Sequence, residues 1–233
     1  MCFSELIQRK HYPNIAQLAE GFADYAAATL YDSLAKNPAV TLVVSGGNTP
    51  RHYLPALAVA RNLPWDKITI TLSDERWVDV NDDASNECLV RKNLLEHLPK
   101  NTHFVGLKSP HQTPAEAIAS IHQRLDCLPQ PFSLTVLGLG EDGHIASLFP
   151  GMNPTITASH HCIAIDPPIA SSPRISLSLN VLASSQHIVL VVVGKTKRQL
   201  LDHLCEHPDP QVPLVWLLLR RKTPIVVFET DTV

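Results

Sequence analysis

The densest chemistry in this 233-residue chain lies in one string, Gly138-Leu139-Gly140-Glu141-Asp142-Gly143-His144-Ile145-Ala146-Ser147-Leu148-Phe149-Pro150. His144 and Asp142 sit two residues apart on a loop to which the glycines give conformational latitude. An imidazole near its ordinary pKa moves protons at neutral pH, and a nearby carboxylate can orient it. The bland alternative for a lone histidine, a cap on a surface turn, fits this crowded string poorly. A second candidate is Ser45-Gly46-Gly47-Asn48-Thr49-Pro50, placed after the β-branched run Val40–Val44. There the glycines can expose backbone N–H groups, and the helix that follows adds its positive end, which suits a phosphate. A plain strand-to-helix turn remains the alternative. Neither a Walker loop nor a dinucleotide fingerprint is present.

Ser73-Asp74-Glu75-Arg76-Trp77 places three charged residues directly after an Ile/Leu run. They must face solvent, pair with each other, or face a polar ligand. Ser85-Asn86 closes the polar loop that follows. Two isolated cations complete the set: Arg174 after a proline-rich loop (Pro167, Pro168, Pro173), and Lys195 just after an apolar run and Gly194. Each can reach a phosphate at a sheet edge or be an ordinary solvated charge.

The elements that must position these residues follow from periodicity. Residues 14–36 read as an amphipathic helix capped by Asn14, and Thr49-Pro50 as the start of another, with Thr as cap and Pro at the first helical position. Further helices are expected from about Ala84 to Leu98, Thr113 to Leu125, and Lys195 to Cys205. Strands are expected at 40–44, 67–72, 133–137, 162–165, 174–179, 188–193 and 225–228. The alternation predicts an α/β fold, a mostly parallel sheet flanked by helices on both faces and forming one domain over residues 1–233. Ligands in such sheets gather at the carboxyl ends of the strands, which is where the unusual strings lie.

Composition narrows the classes. The chain is 45% hydrophobic and 18% charged with a formal charge of −3, and its lysines and arginines form no basic run, which argues against a nucleic-acid partner. Twelve histidines include no zinc spacing, and His52, His97, His103, His111 and His122 sit in ordinary polar contexts. The five cysteines, Cys2, Cys88, Cys127, Cys162 and Cys205, are scattered and best read as free thiols. Only Cys162, following His160 and His161, has a histidine neighbour. The N-terminus lacks the apolar core of a signal peptide and no run is long enough to span a bilayer, so a cytoplasmic protein is expected.

Together, Ser45-Gly46-Gly47-x-Thr49-Pro50, Asp74-Glu75-Arg76-Trp77-Val78, Ser85-Asn86, the Asp142-Gly143-His144 string, Arg174 and Gly194-x-x-Lys197 resemble the 6-phosphogluconolactonases. These share a Rossmann-like fold with the glucosamine-6-phosphate deaminases. The match runs in order from about residue 15 to about residue 205. The resemblance implies cofactor-free, metal-independent hydrolysis of a small-molecule sugar-phosphate lactone by a monomer or homodimer, with His144 as general base and Asp142 orienting it. It implies a substrate and phosphate pocket of Ser45, Gly46, Gly47, Thr49, Asp74, Arg76, Asn86, Arg174 and Lys195, with Lys195 preferred to Lys197 because it directly follows the glycine. Asp79 departs from a family-typical proline, and Leu217 to Lys222 is more apolar than the passage expected there. A deaminase is disfavoured because that family has Asp-Glu-Tyr where this chain has Asp74-Glu75-Arg76, and a glutamate in the stretch read here as Ala146 to Pro150. A transcriptional sugar-phosphate sensor is disfavoured because the first helix already belongs to the core, leaving no room for a DNA-binding pair. A catalytically dead homologue would have lost His144 or Arg76.

Overall fold

The structure, a computed structural model, describes residues 3–60, 63–153, 161–167 and 172–232; Cys2, His160 and Pro168 lie outside them. In chain order the elements are β1 (Ile7–His11), α1 (Ile15–Leu34), β2 (Val40–Val44), α2 (Pro50–Val59), β3 (Ile68–Leu72), β4 (Asp74–Arg76), α3 (Asn86–Asn93), β5 (His103–Val105) and α4 (Pro114–Asp126). There follow β6 (Leu134–Gly138), β7 (Cys162–Ile165), β8 (Arg174–Leu177), α5 (Leu179–Ser184), β9 (His187–Val193), α6 (Lys195–Glu206), α7 (Pro213–Arg220) and β10 (Ile225–Thr230).

Seven strands form one parallel sheet in the order β1-β10-β9-β6-β2-β3-β5. Every residue of β2 and β10 is buried, as expected for central strands covered on both faces. The path from β1 through β2 and β3 to β5 crosses the sheet one way, and the path from β5 back through β6 and β9 to β10 crosses it the other way. Right-handed crossovers then put α1, α2 and α3 on one face and α4 and α6 on the other. The packing of α1 on α2 and of α2 on α3 agrees.

The direction reverses at the β2–β6 seam, and that seam is thin. β2 and β6 pair only through Leu42↔Leu134 and Val43↔Thr135, whereas β2 pairs with β3 along its whole length from Val40↔Ile68 to Val44↔Leu72. Above Val43 and Thr135 the two strands part.

Charged residues explain the elements that periodicity missed. β1 (IQRKH) is an edge strand exposed beyond its first residue, and Arg9 donates to Glu229 and Asp202. Charges at a sheet edge disguise a strand as a loop. β4, β8 and β7 form a second, antiparallel sheet. It is tied to the first through Ser73, whose N–H donates to Val44 O and whose carbonyl accepts from Leu177 N.

Local chemistry sets the helix ends. Asn14 caps α1 by accepting from Gln17 N, and Thr113 caps α4 in a capping box with Glu116. Thr49 does not act as the expected cap: it has helical dihedrals and its side chain accepts no capping bond, so Pro50 starts α2. α3 is shorter than expected, ending at Asn93 before a separate 3₁₀ turn at Leu95–His97.

The apolar stretch before Lys222 is a buried helix, α7, packed on α5. Arg221 closes it. Only 8% exposed, it donates to the carbonyls of Ala183, Ser185 and Gln186 and to Thr223, joining the end of α5 to the turn before β10. All those partners are neutral, so burial lowers its pKa. Replacing Arg221 by Met strands these carbonyls. We expect a loss of roughly 2–4 kcal/mol in urea unfolding, read from the midpoint at unchanged slope.

Candidate active site

The strings singled out above converge where the sheet changes direction. The loop after β2 and the loop after β6 face each other across the gap between the two strands, the place where open α/β sheets bind ligands. They line a cavity of about 290 Å³. Gly46 is required by close approach, since a Cβ there would lie 1.8 Å from Asn86 Oδ1. Gly47 takes φ +92°, in the left-handed region.

The loop after β6 folds back on itself, Gly143 N donating to Gly140 O and Gly140 N to His144 O. This presses the imidazole against the Gly140 backbone, where a Cβ would sit 2.1 Å from His144 Nδ1. Asp142 Oδ1 takes both the His144 backbone N–H (3.1 Å) and the ring Nδ1 (2.6 Å). The proton assigned to Nδ1 by this bond leaves the Nε2 lone pair available to the cavity that His144 lines. Asp142 itself stands behind the imidazole and does not line the cavity. Burial alone would raise its carboxyl, but the His144 backbone N–H, the charge of the ring and the Nδ1 bond together hold it below its ordinary value. The Phe149 ring packs on the imidazole, centroids 5.0 Å apart, with the Arg174 guanidinium 5.7 Å from the same ring.

The same cavity is lined by Arg76 on β4 and Arg174 on β8, directly opposite each other in the strand register. Neither forms an ion pair with a described carboxylate. Arg76 Nη1 donates to Ala84 O (2.7 Å) and Asn86 Oδ1 (2.8 Å), and among the described residues Arg174 Nη1 reaches Ser147 Oγ alone, at 3.5 Å. Burial lowers the Arg174 pKa, Asp74 opposes that and Arg76 adds to it. Two adjacent cations without a counter-ion make a place for an anion.

The other expected residues sort as follows. Ser45, Gly46, Gly47, Thr49, Asp74, Asn86 and His144 all line the cavity with the two arginines. Lys195 does not. α6 opens at Gly194, φ +101°, and carries Lys197 into the cavity wall, while Lys195 adds to the field that, after the Arg198 contact, holds Asp231 low. Residues two apart on a helix point roughly 200° away from each other, so Lys195, chosen by adjacency to the glycine, lies on a different face from the one that Lys197 turns to the cavity. Asp74 is buried and accepts from Ser73 Oγ (2.8 Å) and Ser147 Oγ (2.6 Å). Asn86 spends its amide on Arg76 and on Asp74 O (2.8 Å). Tyr53, whose hydroxyl lies 3.3 Å from Ser45 Oγ, was not singled out in the sequence. Nor was Arg51, which joins Arg76 and Arg174 around an adjoining cavity of about 320 Å³.

Among the described residues one group has metal-ligating types within reach of each other: His122 and Asp126 on α4, with His161 before β7. Its hydrogen bonds argue against a ligand set. His122 Nδ1 accepts from the His161 backbone N–H (3.2 Å). His161 Nδ1 lies 3.2 Å from the Gln130 amide nitrogen, which also donates to Leu125 O. Both ring protons then sit on Nε2, and those nitrogens lie 3.5 and 3.1 Å from the two Asp126 oxygens. Metal-bound histidines use the reverse arrangement, with the second ring nitrogen donating. The triad clamps α4 to the start of β7.

Comparison with known proteins agrees with this geometry. The sequence profile of the glucosamine-6-phosphate isomerases/6-phosphogluconolactonase family matches residues 13–226. A 6-phosphogluconolactonase of Rhizobium meliloti is 32% identical, covering 93% of this chain and 96% of its own length. One of Pseudomonas aeruginosa is 37% identical over 78% of each chain. The crystal structure of a 6-phosphogluconolactonase from Shewanella baltica superposes with a TM-score of 0.92 at 33% identity, covering 99% of this chain and 100% of that one. A monomeric glucosamine-6-phosphate deaminase, 20% identical with a TM-score of 0.79, shares the fold. By its sequence and its architecture, this chain belongs to the glucosamine-6-phosphate isomerase/6-phosphogluconolactonase family.

Proposed function

We propose that the protein is a lactonase that hydrolyses 6-phospho-D-glucono-1,5-lactone to 6-phospho-D-gluconate, with His144 as the general base. The observation that carries the residue roles is the His144–Asp142 pair, ring nitrogen bonded at 2.6 Å, in which His144 shares one cavity with Arg76, Arg174 and Lys197. A base and three cations on one cavity wall suit a substrate that carries both an ester carbonyl and a phosphate.

In this reading His144 Nε2 takes a proton from a water as the water oxygen attacks the lactone carbonyl. Asp142, already ionised, steadies the imidazolium that forms. The tetrahedral oxyanion requires hydrogen-bond donors on the cavity wall beside His144. Collapse breaks the bond from the carbonyl carbon to the ring oxygen, which leaves with the proton returned by His144. Arg76, Arg174 and Lys197 hold the phosphate throughout. Phe149 beside the imidazole leaves Asp142 as its only carboxylate partner among the described residues, which disfavours a deaminase-type proton relay. Cys88, Cys127 and Cys162 are free thiols, in keeping with a reducing cytoplasm.

With lactone made fresh from glucose 6-phosphate and acid release followed near neutrality, His144→Ala should lower kcat roughly 10²–10⁴-fold. An unchanged rate would remove His144 from the mechanism. Arg76→Ala and Lys197→Ala should raise KM for the phosphorylated lactone and leave phosphate-free glucono-1,5-lactone nearly untouched; an equal effect on both substrates would move the phosphate elsewhere. Asp142, with its pKa held low in the folded protein, stays charged until the pH falls through that lowered value, so it orients the ring throughout the neutral range. Asp142→Asn removes that charge and should lower kcat at neutral pH with KM little changed, read by the same acid-release assay.

A further inference from the structure

Glu75 is the charged residue of the Asp74-Glu75-Arg76 string that the reaction does not use. It is fully buried and does not line the cavity. Its two oxygens receive four donors. Oε1 accepts from Arg76 N (2.8 Å) and Asn86 N (2.7 Å), and Oε2 accepts from Ser85 Oγ (3.0 Å) and Glu87 N (2.7 Å). Burial pushes its carboxyl up, and those donors pull it back. With Ser85 Oγ accepting from Cys88 N (3.1 Å), the first three N–H groups of α3 all end on side chains that come from or touch β4. An ordinary cap needs only Ser85. The added carboxylate instead fixes where α3 begins relative to β4.

What begins there is Asn86, the first residue of α3, 1% exposed. Its Oδ1 takes the Arg76 guanidinium at 2.8 Å, its Nδ2 donates to Asp74 O at 2.8 Å, and its amide lies against Gly46. The chain of contacts from Glu75 through the α3 terminus and Asn86 to Arg76 has no slack, because each group in it is buried or hydrogen-bonded at both ends.

We propose that Glu75 is a positioning residue for the phosphate end of the substrate: its buried carboxylate fixes the N-terminus of α3 against β4, and Asn86 transmits that placement to the Arg76 guanidinium. The inference rests on the lactonase reading for its substrate. Arg76 opposes Arg174 across the strands, so unsupported it would swing away from a like charge toward solvent. The relay holds it in the wall.

The test is Glu75→Gln. The amide nitrogen of Gln replaces either the oxygen that accepts from Ser85 Oγ and Glu87 N or the one that accepts from Arg76 N and Asn86 N, so in each orientation at least one backbone N–H meets a donor in place of its acceptor. We expect KM for the phosphorylated lactone to rise about tenfold with kcat within about twofold, and kcat/KM for phosphate-free glucono-1,5-lactone to hold. In an Arg76→Ala background the same substitution should add nothing to KM, since its effect passes through the guanidinium. A KM equal to wild type, a loss shared by both lactones, or a rise that persists without Arg76 would overturn the proposal. If Glu75→Gln does not fold, Glu75→Asp, which keeps the charge but withdraws it from the N–H groups of α3, is read by the same outcomes. Wild-type protein inactive on both lactones would sink the lactonase reading instead. The relay is then decided by calorimetric binding of inorganic phosphate, which Glu75→Gln must weaken in the presence of Arg76 and leave unchanged in its absence.

Discussion

Two arginines held side by side without a counter-ion are the constraint on which much of this molecule turns. Arg76 and Arg174 occupy opposed positions on neighbouring antiparallel strands, a placement that costs free energy wherever both are charged. The surroundings offset that cost with neutral acceptors more than with carboxylates: Ala84 O and the Asn86 amide for Arg76, the Ser147 hydroxyl and the Phe149 ring for Arg174. The nearest acid, Asp74, is already occupied by Ser73 and Ser147. A carboxylate paired directly with either guanidinium would have stabilised the empty protein and competed with the ligand. The small second sheet therefore keeps its cations unneutralised and its acids busy elsewhere.

The base obeys the opposite logic. His144 needs a permanent partner, and Asp142 supplies one from the same loop at the smallest workable spacing. The geometry is bought with glycine: Gly140 leaves room for the ring, Gly143 turns the chain at φ +87°, and even Ala146 is driven to φ +50°. A side chain at Gly140 would overlap the imidazole and displace it by more than proton transfer tolerates.

These two halves of the site were unequally legible in the sequence. The base was plain because base, partner and turn residues share thirteen consecutive positions, and local chemistry of that kind survives without a fold. The central strands were plain because their apolar runs are continuous. The cationic half was only partly visible. Arg76 and Arg174 stood out as charges beside apolar runs, but β4 consists of three charged residues and carries no strand period, so their mutual opposition could not be read. Glu75 could not be told from a solvent-facing charge because two of the N–H groups that bind it belong to a helix eleven and twelve residues on. Lys197 was passed over for Lys195 because the choice depends on how Gly194 starts a helix, a torsion that residue order does not specify. The clamp of His122, Asp126 and His161 is likewise tertiary, joining α4 to a strand more than thirty positions away.

The thin seam between β2 and β6 gives the cavity its origin. Only two residue pairs join these strands before they diverge, so the pocket is a tear in the sheet's own ladder more than a hollow in its surface. Arg76 belongs to the chain before the tear, and His144, Arg174 and Lys197 to the chain after it. A ligand anchored at both ends is thus a stitch, supplying across the gap the cohesion that the backbone withholds.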